Sequence, residues 1–217
     1  MNFEKARANM VEQQIRTWEV LDQTVLDSIS AIPRDEFVPE AYRTVAYSDF
    51  EIPIGYGEKM MTPKIEARLV QSINLSSADR VLEVGTGSGY LTALLAHQCA
   101  HVTTIEYRSE LLEKAQKRLH LHGYNNILFE QGNGIEGWRP NEPYEAVVLT
   151  GSVATARLAV GQQLAIGGRL FMVLGEAPVM EAQLITRVGE SEFVSETLFE
   201  TALAPLVSGE AKPQFKF

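Results

Sequence analysis

The chain has 217 residues, 45% of them hydrophobic and 22% charged, with 28 Asp+Glu against 19 Lys+Arg and a formal net charge of −9. These are ordinary globular proportions, which exclude disordered and fibrous classes, and the acidic balance disfavours both a nucleic-acid backbone and an anionic membrane as partner. One cysteine, Cys99, excludes an intrachain disulfide and fits a reducing, cytoplasmic compartment.

The opening MNFEKARANM carries charges and no apolar core segment, so it does not read as a secretory signal. Phe3, Ala6, Met10, Val11, Ile15 and Trp18 recur at helical spacing. Asp22 is placed to cap a second helix, with Val25, Leu26, Ile29 and Ile32 on its apolar face. Pro33 and Pro39 bracket a break. The stretch IPIGYGEKMMTP, Ile52–Pro63, is punctuated by Pro53, Gly55, Gly57 and Pro63 and predicts a loop of fixed shape. A helix with Ile65, Leu69, Val70 and Ile73 on one face follows it.

From Arg80 onward, short apolar runs (VLEV, VTTIE, NILFE, EAVVL, RLFMV) alternate with helical patterns over Tyr90–Ala96, Leu111–Leu121 and Ala156–Leu164. Ser109 is a plausible N-cap and Gly123 a plausible helix stop. Such alternation implies right-handed crossovers and a mainly parallel sheet. Gln183–Val188 and Phe193–Leu203, separated by the polar turn Gly189–Glu192, predict an antiparallel pair at the sheet edge. The expected fold is a Rossmann-like, doubly wound α/β sheet of seven strands with N-terminal helices. A single domain is expected over residues 1–217, with helices and loop in 1–75, the sheet in 80–206 and a tail in 207–217. No apolar run is long enough to span a bilayer, and no His or Cys cluster has metal-ligand spacing. His120 and His122 read as surface residues near a helix end, and Cys99 as a small buried residue.

The chemistry concentrates in Val81–Tyr90, VLEVGTGSGY. A buried strand runs into Gly85, Gly87 and Gly89 and then into a helix, and glycines allow a ligand to approach the backbone. Glu106 ends the next strand about twenty residues on, where a carboxylate grips ribose hydroxyls. A dinucleotide turn wants a small third residue for close packing, and Tyr90 is bulky there, which disfavours a nicotinamide oxidoreductase. The spacing is Gly-x-Gly-x-Gly after the carboxylate Glu83. That suits S-adenosylmethionine, which has no phosphate but carries an amino group and a sulfonium.

VLEVGTGSGY, with IPIGYG and Pro63 upstream, PRDEFVPEAYRTVAYSD before them, GYNNILFEQGNGIEGW and LAIGGRLFMVLG downstream and LAPL at 203–206, resembles the protein-L-isoaspartate O-methyltransferases, a class I methyltransferase family, from about Ile32 to Leu206. The resemblance implies that Glu83, Gly85, Thr86, Gly87 and Gly89, with their neighbours Ser88 and Tyr90, line the methionine part of S-adenosylmethionine. It implies that Glu106, next to Tyr107, holds the ribose, and that Asn133 and Gly134 lie beside the adenine. The family usually has aspartate at position 133. Asparagine keeps an acceptor oxygen and loses the charge, which alters the contact without abolishing binding.

The family's loop pattern is Gly-Gln-Thr-Ile-Ser-x-Pro, with the serine held to be catalytic. This chain has Gly57-Glu58-Lys59-Met60-Met61-Thr62-Pro63, so Met61 stands at the serine position and a catalytic residue is not identified. A thioether donates no hydrogen bond. Thr62 offers a hydroxyl one residue later that should point elsewhere. Lys59, Met60, Met61 and Thr62 are the expected acceptor-pocket residues, with Lys59 either attracting an acceptor or solvated, and the methionines either pocket wall or core filler. A carboxylate acceptor arrives ionised near neutral pH and needs no base, and the loop offers no evident base. The expected reaction is therefore methyl transfer to a peptide or small-molecule carboxylate, leaving S-adenosylhomocysteine. A different acceptor on the same scaffold and a non-catalytic binding module are the alternatives.

Overall fold

The computed structural model describes residues 2–156 and 158–207, with the Leu158 side chain left aside. The tail expected at 207–217 therefore lies outside the described residues beyond Val207. Helix α1 (Phe3–Met10) passes through a π-helical turn, Val11–Ile15, and a short 3-10 turn ending at Glu19. Asp22 caps α2 (Gln23–Ala31) by accepting from the Thr24 and Val25 N–H groups at 2.8 and 3.2 Å. The segment read as a loop is in fact a small hairpin, β1 (Ile52–Gly55) and β2 (Glu58–Met60), pairing Ile52 with Met60 and Pro53 with Lys59. Its turn residues Tyr56 and Gly57 both have positive φ, 57° and 83°, as a tight two-residue hairpin turn requires. The turn formers seen in the sequence thus fold the stretch back on itself. Helix α3 (Pro63–Ile73) follows, with proline in its first turn.

Strand β3 (Arg80–Val84) leads to α4 (Tyr90–Gln98), β4 (His101–Glu106) to α5 (Ser109–Leu121), and β5 (Ile127–Gln131) through a long connection to β6 (Tyr144–Val153). Ser109 is not the N-cap of α5. Arg108 occupies that position and the Ser109 hydroxyl turns to Glu110, while Gly123 does end the helix region at φ +80°. The helix expected over Ala156–Leu164 shrinks to one described turn, α6 (Leu158–Gly161). Gln163 and Leu164 are drawn into the sheet margin instead: the Tyr144 N–H donates to the Gln163 carbonyl at 2.9 Å and Leu164 pairs with Tyr144. Strand β7 (Leu164–Glu176) precedes β8 (Val179–Arg187) and β9 (Phe193–Thr201). The edge pair is antiparallel as expected; β8 starts four residues earlier than the sequence pattern and β9 stops two residues sooner.

The sheet order is β5-β4-β3-β6-β7-β8-β9, parallel from β5 to β7 and antiparallel thereafter. Its central strands are buried on both faces. Val81, Ala146, Val148, Phe171 and Val173 pack with α2, α3 and α4, while Leu82, Val84, Val147, Leu149, Leu170 and Met172 pack with Ile135, Tyr144, Val160 and Leu206. The chain reverses direction across the sheet between β3 and β6, the kind of switch point at which open parallel sheets bind ligands.

Two buried ionisable side chains fix the elements around that point. The fully buried Arg34 guanidinium donates to the Ala46 carbonyl at 2.9 Å, to the Met61 carbonyl at 2.7 Å and to the Glu66 carboxylate. One side chain thereby ties the segment after α2 to the hairpin exit and the first turn of α3. Beneath the β3 turn, the fully buried Glu83 accepts from the hydroxyls of Thr92 (2.6 Å) and Thr104 (2.7 Å), and Thr104 is 2.6 Å from Thr86. Burial outweighs those two hydrogen bonds and pushes the Glu83 carboxyl up to about 8.

Removing one partner of a buried pair strands the other. Arg34→Ala is therefore expected to cost about 3–5 kcal/mol in urea unfolding, and the paired change Arg34→Met/Glu66→Leu to recover much of that loss; equal losses in both would show that the pair has no such role. For Glu83 the folded state keeps a proton that the unfolded chain releases near pH 4.5. This contribution is complete at low pH and is lost as pH rises from about 5 to 8, with a slope of at most about 1.4 kcal/mol per pH unit. Urea midpoints across that range should fall with pH and flatten in Glu83→Gln; an unaltered slope in the variant would overturn the assignment.

Candidate active site

The turn after β3 sets the floor of the site. At Gly85 φ is +101° and a Cβ would collide with the Thr150 hydroxyl, which hydrogen-bonds to the Val84 and Gly85 carbonyls at 2.9 Å each. Only glycine satisfies both conditions. The Gly87 N–H donates to one Glu106 oxygen and the Arg108 N–H to the other, both at 2.9 Å. The carboxylate ending β4 is thus locked against the turn ending β3, with a lone pair of each oxygen still available.

A cleft opens over the carboxyl ends of β3, β4 and β6. Of the residues expected at the cofactor site, Gly85, Thr86, Gly87, Ser88, Glu106, Tyr107, Asn133 and Gly134 line it. Glu83, Gly89 and Tyr90 do not. Glu83 lies under the turn within its threonine cluster. Gly89 opens α4 and packs on Ala115 and Leu119. The Tyr90 ring is buried, edge-on to Phe37 at 5.5 Å and under the Arg34 guanidinium at 4.9 Å. The bulk that argued against a dinucleotide turn is therefore absorbed by packing against the N-terminal segment.

At the hairpin end the cleft is lined by Lys59, Met60 and Met61, and Thr62 is absent from the lining. The Thr62 hydroxyl is buried and has no hydrogen-bond partner among the described residues. Met60 and Met61 are 5% and 7% exposed, so they are core residues that present one surface to the cleft, and the two readings of them merge. The Lys59 ammonium is held by Glu51 at 3.0 Å, and Arg108 lies 3.6 Å from Glu58. The Arg108 Nε is buried and has no hydrogen-bond partner among the described residues.

Three groups of lining residues escape motif reasoning. Thr150 and Gly151 follow the apolar run Ala146–Leu149 within β6, and a polar residue interrupting an apolar strand beside the switch point is the available signal. The segment Leu203–Val207 crosses the cleft: the Ser152 N–H donates to the Ala204 carbonyl at 2.9 Å, the Leu206 N–H to the Ser152 carbonyl at 3.0 Å, and the Asn133 amide to the Val207 carbonyl at 3.1 Å. The Asn133 oxygen meanwhile accepts from the Ile135 N–H at 3.1 Å. An aspartate has no donor for the Val207 contact, so asparagine here gains a tie to the crossing segment. The third is Glu66, a carboxylate set among the apolar positions of α3. Among the described residues, no group of three or more His, Cys, Asp or Glu is placed to hold a metal. No helix among them is long and apolar enough to cross a membrane.

Comparison with known proteins places this geometry. A protein-L-isoaspartate O-methyltransferase 1 of Rhodopseudomonas palustris is 37% identical over 210 residues, which are 96% of this chain and 86% of that protein. A solved protein-L-isoaspartate O-methyltransferase superposes with a TM-score of 0.79 at 23% identity, over 93% of this chain and 66% of the other, just under two thirds of its length. A Plasmodium falciparum structure described as the same enzyme in complex with S-adenosyl-L-homocysteine gives 0.76 at 20% identity, over 95% and 99% of the two chains. These two likenesses concern the fold. The profile of the protein-L-isoaspartate(D-aspartate) O-methyltransferase family matches residues 5–211, and with that span and the sequence identity to its named members, the chain belongs to this family.

Proposed function

We propose that this protein transfers a methyl group from S-adenosylmethionine to a carboxylate, of the isoaspartyl type named in its relatives, presented at the Met60–Met61 wall. The observation that carries the reading is the cleft at the switch point, which joins a glycine turn, a carboxylate at the end of β4 and an apolar wall in one space. The residues suit that cofactor. Val84, Ile105 and Gly134 offer apolar surface and room for a flat ring, Glu106 has lone pairs for a diol, and the Gly85–Ser88 backbone borders the rest. When bound, S-adenosylmethionine supplies an electrophilic methyl group whose leaving sulfide needs no proton. The protein's part is then alignment and exclusion of water, and the segment Leu203–Val207 and the hairpin are placed to provide both. Kinship in sequence to enzymes named for isoaspartyl methylation supports the acceptor class. The wall itself departs from the family: Met61 offers no hydroxyl where the family has serine.

Two outcomes test this reading. Calorimetry should show S-adenosylhomocysteine binding. Gly87→Val should abolish it by blocking the backbone approach, and Glu106→Ala should weaken it by about 1–3 kcal/mol for each lost hydrogen bond to a charged acceptor. Unchanged affinity in both variants would move the cofactor elsewhere. At the acceptor end, Met61→Ser should leave that affinity within a few-fold and raise turnover of an isoaspartyl peptide by up to about 10²–10³, the worth of one well-placed donor in a closed site. A variant that binds the product normally and gains nothing would remove the serine position from the acceptor contact.

A further inference from the structure

Glu66 is a buried acidic side chain that joins the wall formed by Met60 and Met61 to the core. It is 3% exposed, lines the cleft with Met60 and Met61, and follows Met61 by five residues. Among the described residues only one of its oxygens, Oε2, has a hydrogen-bond partner, Arg34. Arg34 also donates to the Ala46 and Met61 carbonyls, is fully buried and does not line the cleft. Of the other charged groups of the lining, Lys59 is paired with Glu51, Glu106 accepts from the backbone N–H groups of Gly87 and Arg108, and Arg108 lies 3.6 Å from Glu58 with its buried Nε unpartnered among the described residues. Glu83 and Tyr90, the buried titratable groups that feel Glu66 through space, add no positive charge. An incoming carboxylate finds no hydroxyl at Met61. It finds a carboxyl.

Two carboxyl groups brought together in a water-poor site do not both ionise; they share one proton. We propose that Glu66 is the group that receives the acceptor carboxylate, through a single proton that Glu66 holds and shares with it. This assignment rests on the carboxylate reading above. It gives the site a hydrogen-bond donor where the family's serine is missing, and Arg34 fixes the far oxygen so that Oε1 is the one left for the acceptor. Burial, working against the pull of Arg34, already pushes the Glu66 carboxyl up to about 7, so the proton is cheap to acquire near neutrality.

The readout is proton uptake, measured without turnover. The intact protein is saturated with S-adenosylhomocysteine and titrated with an isoaspartyl hexapeptide in buffers of different ionisation enthalpy. At pH 8 binding should take up close to one proton, and at pH 5.5 almost none, with affinity falling about tenfold per pH unit above neutrality. Glu66→Gln keeps an oxygen for Arg34 and presents an N–H to the cleft; it should bind the peptide with no proton uptake and a flat pH profile. A cooperative thermal melt and retained S-adenosylhomocysteine binding identify a folded variant, and Arg34→Met/Glu66→Leu, which leaves no stranded charge, should bind the peptide at least tenfold more weakly. Peptide binding without uptake in the wild type, or uptake that persists in Glu66→Gln, would overturn the assignment and leave the carboxylate reading standing. S-adenosylhomocysteine binding with no peptide binding at all would overturn both.

Discussion

The hairpin end of the cleft hangs on the contacts of Arg34. A guanidinium is planar, permanently charged and rigid in its donor directions, and this one is fully buried, so the groups that meet it are held where they stand. Its three contacts come from three stretches of chain far apart in sequence: Ala46 in the turns after α2, Met61 at the hairpin exit and Glu66 in α3. The carbonyl of the residue that replaces the family's serine is thereby fixed from below, and the same residue's side chain faces the cleft. Tyr90, at the start of α4, stacks under the same guanidinium and carries the constraint to the glycine turn.

The cofactor side is held by different means. There the constraint is backbone geometry: Gly85 in the left-handed region, with the Thr150 hydroxyl filling the space where a Cβ would stand, and Glu106 drawn onto the Gly87 N–H. Glu83 supports the same turn from beneath through three threonine hydroxyls linked in series, Thr92 and Thr104 directly and Thr86 by way of Thr104. Because a carboxyl buried without a cation is costly when ionised, it acts here as a polar support under the turn and does not reach the cleft. The acidic residue before a glycine turn and the acidic residue ending the next strand look alike in a sequence, yet one is a buried brace and the other a cleft residue.

The departure at position 61 shifts the chemical character of the acceptor wall from a hydroxyl to a thioether backed by a carboxyl. At position 133 the exchange of the family's usual aspartate for asparagine adds a donor that holds the Leu203–Val207 segment across the cleft. Both differences fall in the lining of a scaffold whose sheet order and glycine turn otherwise match the family fold.

The sequence by itself determined the alternation of buried strands with helices, hence the parallel sheet, the edge pair, the glycine turn and the carboxylate at Glu106. All of these are local patterns whose spacing has a direct physical meaning, and the resemblance located the family on the same residues. The placement of Glu83, Gly89, Tyr90 and Thr62 away from the cleft was decided only by the tertiary structure, because whether a residue beside a turn faces a ligand or a neighbouring helix depends on what packs behind it. The shortening of the helix expected at 156–164 and the crossing of Leu203–Val207 over Ser152 likewise depend on partners distant in the chain. So does Glu66, which local pattern reads as one charge on an amphipathic helix. A buried Arg34, thirty-two residues earlier, is what makes it part of the acceptor wall.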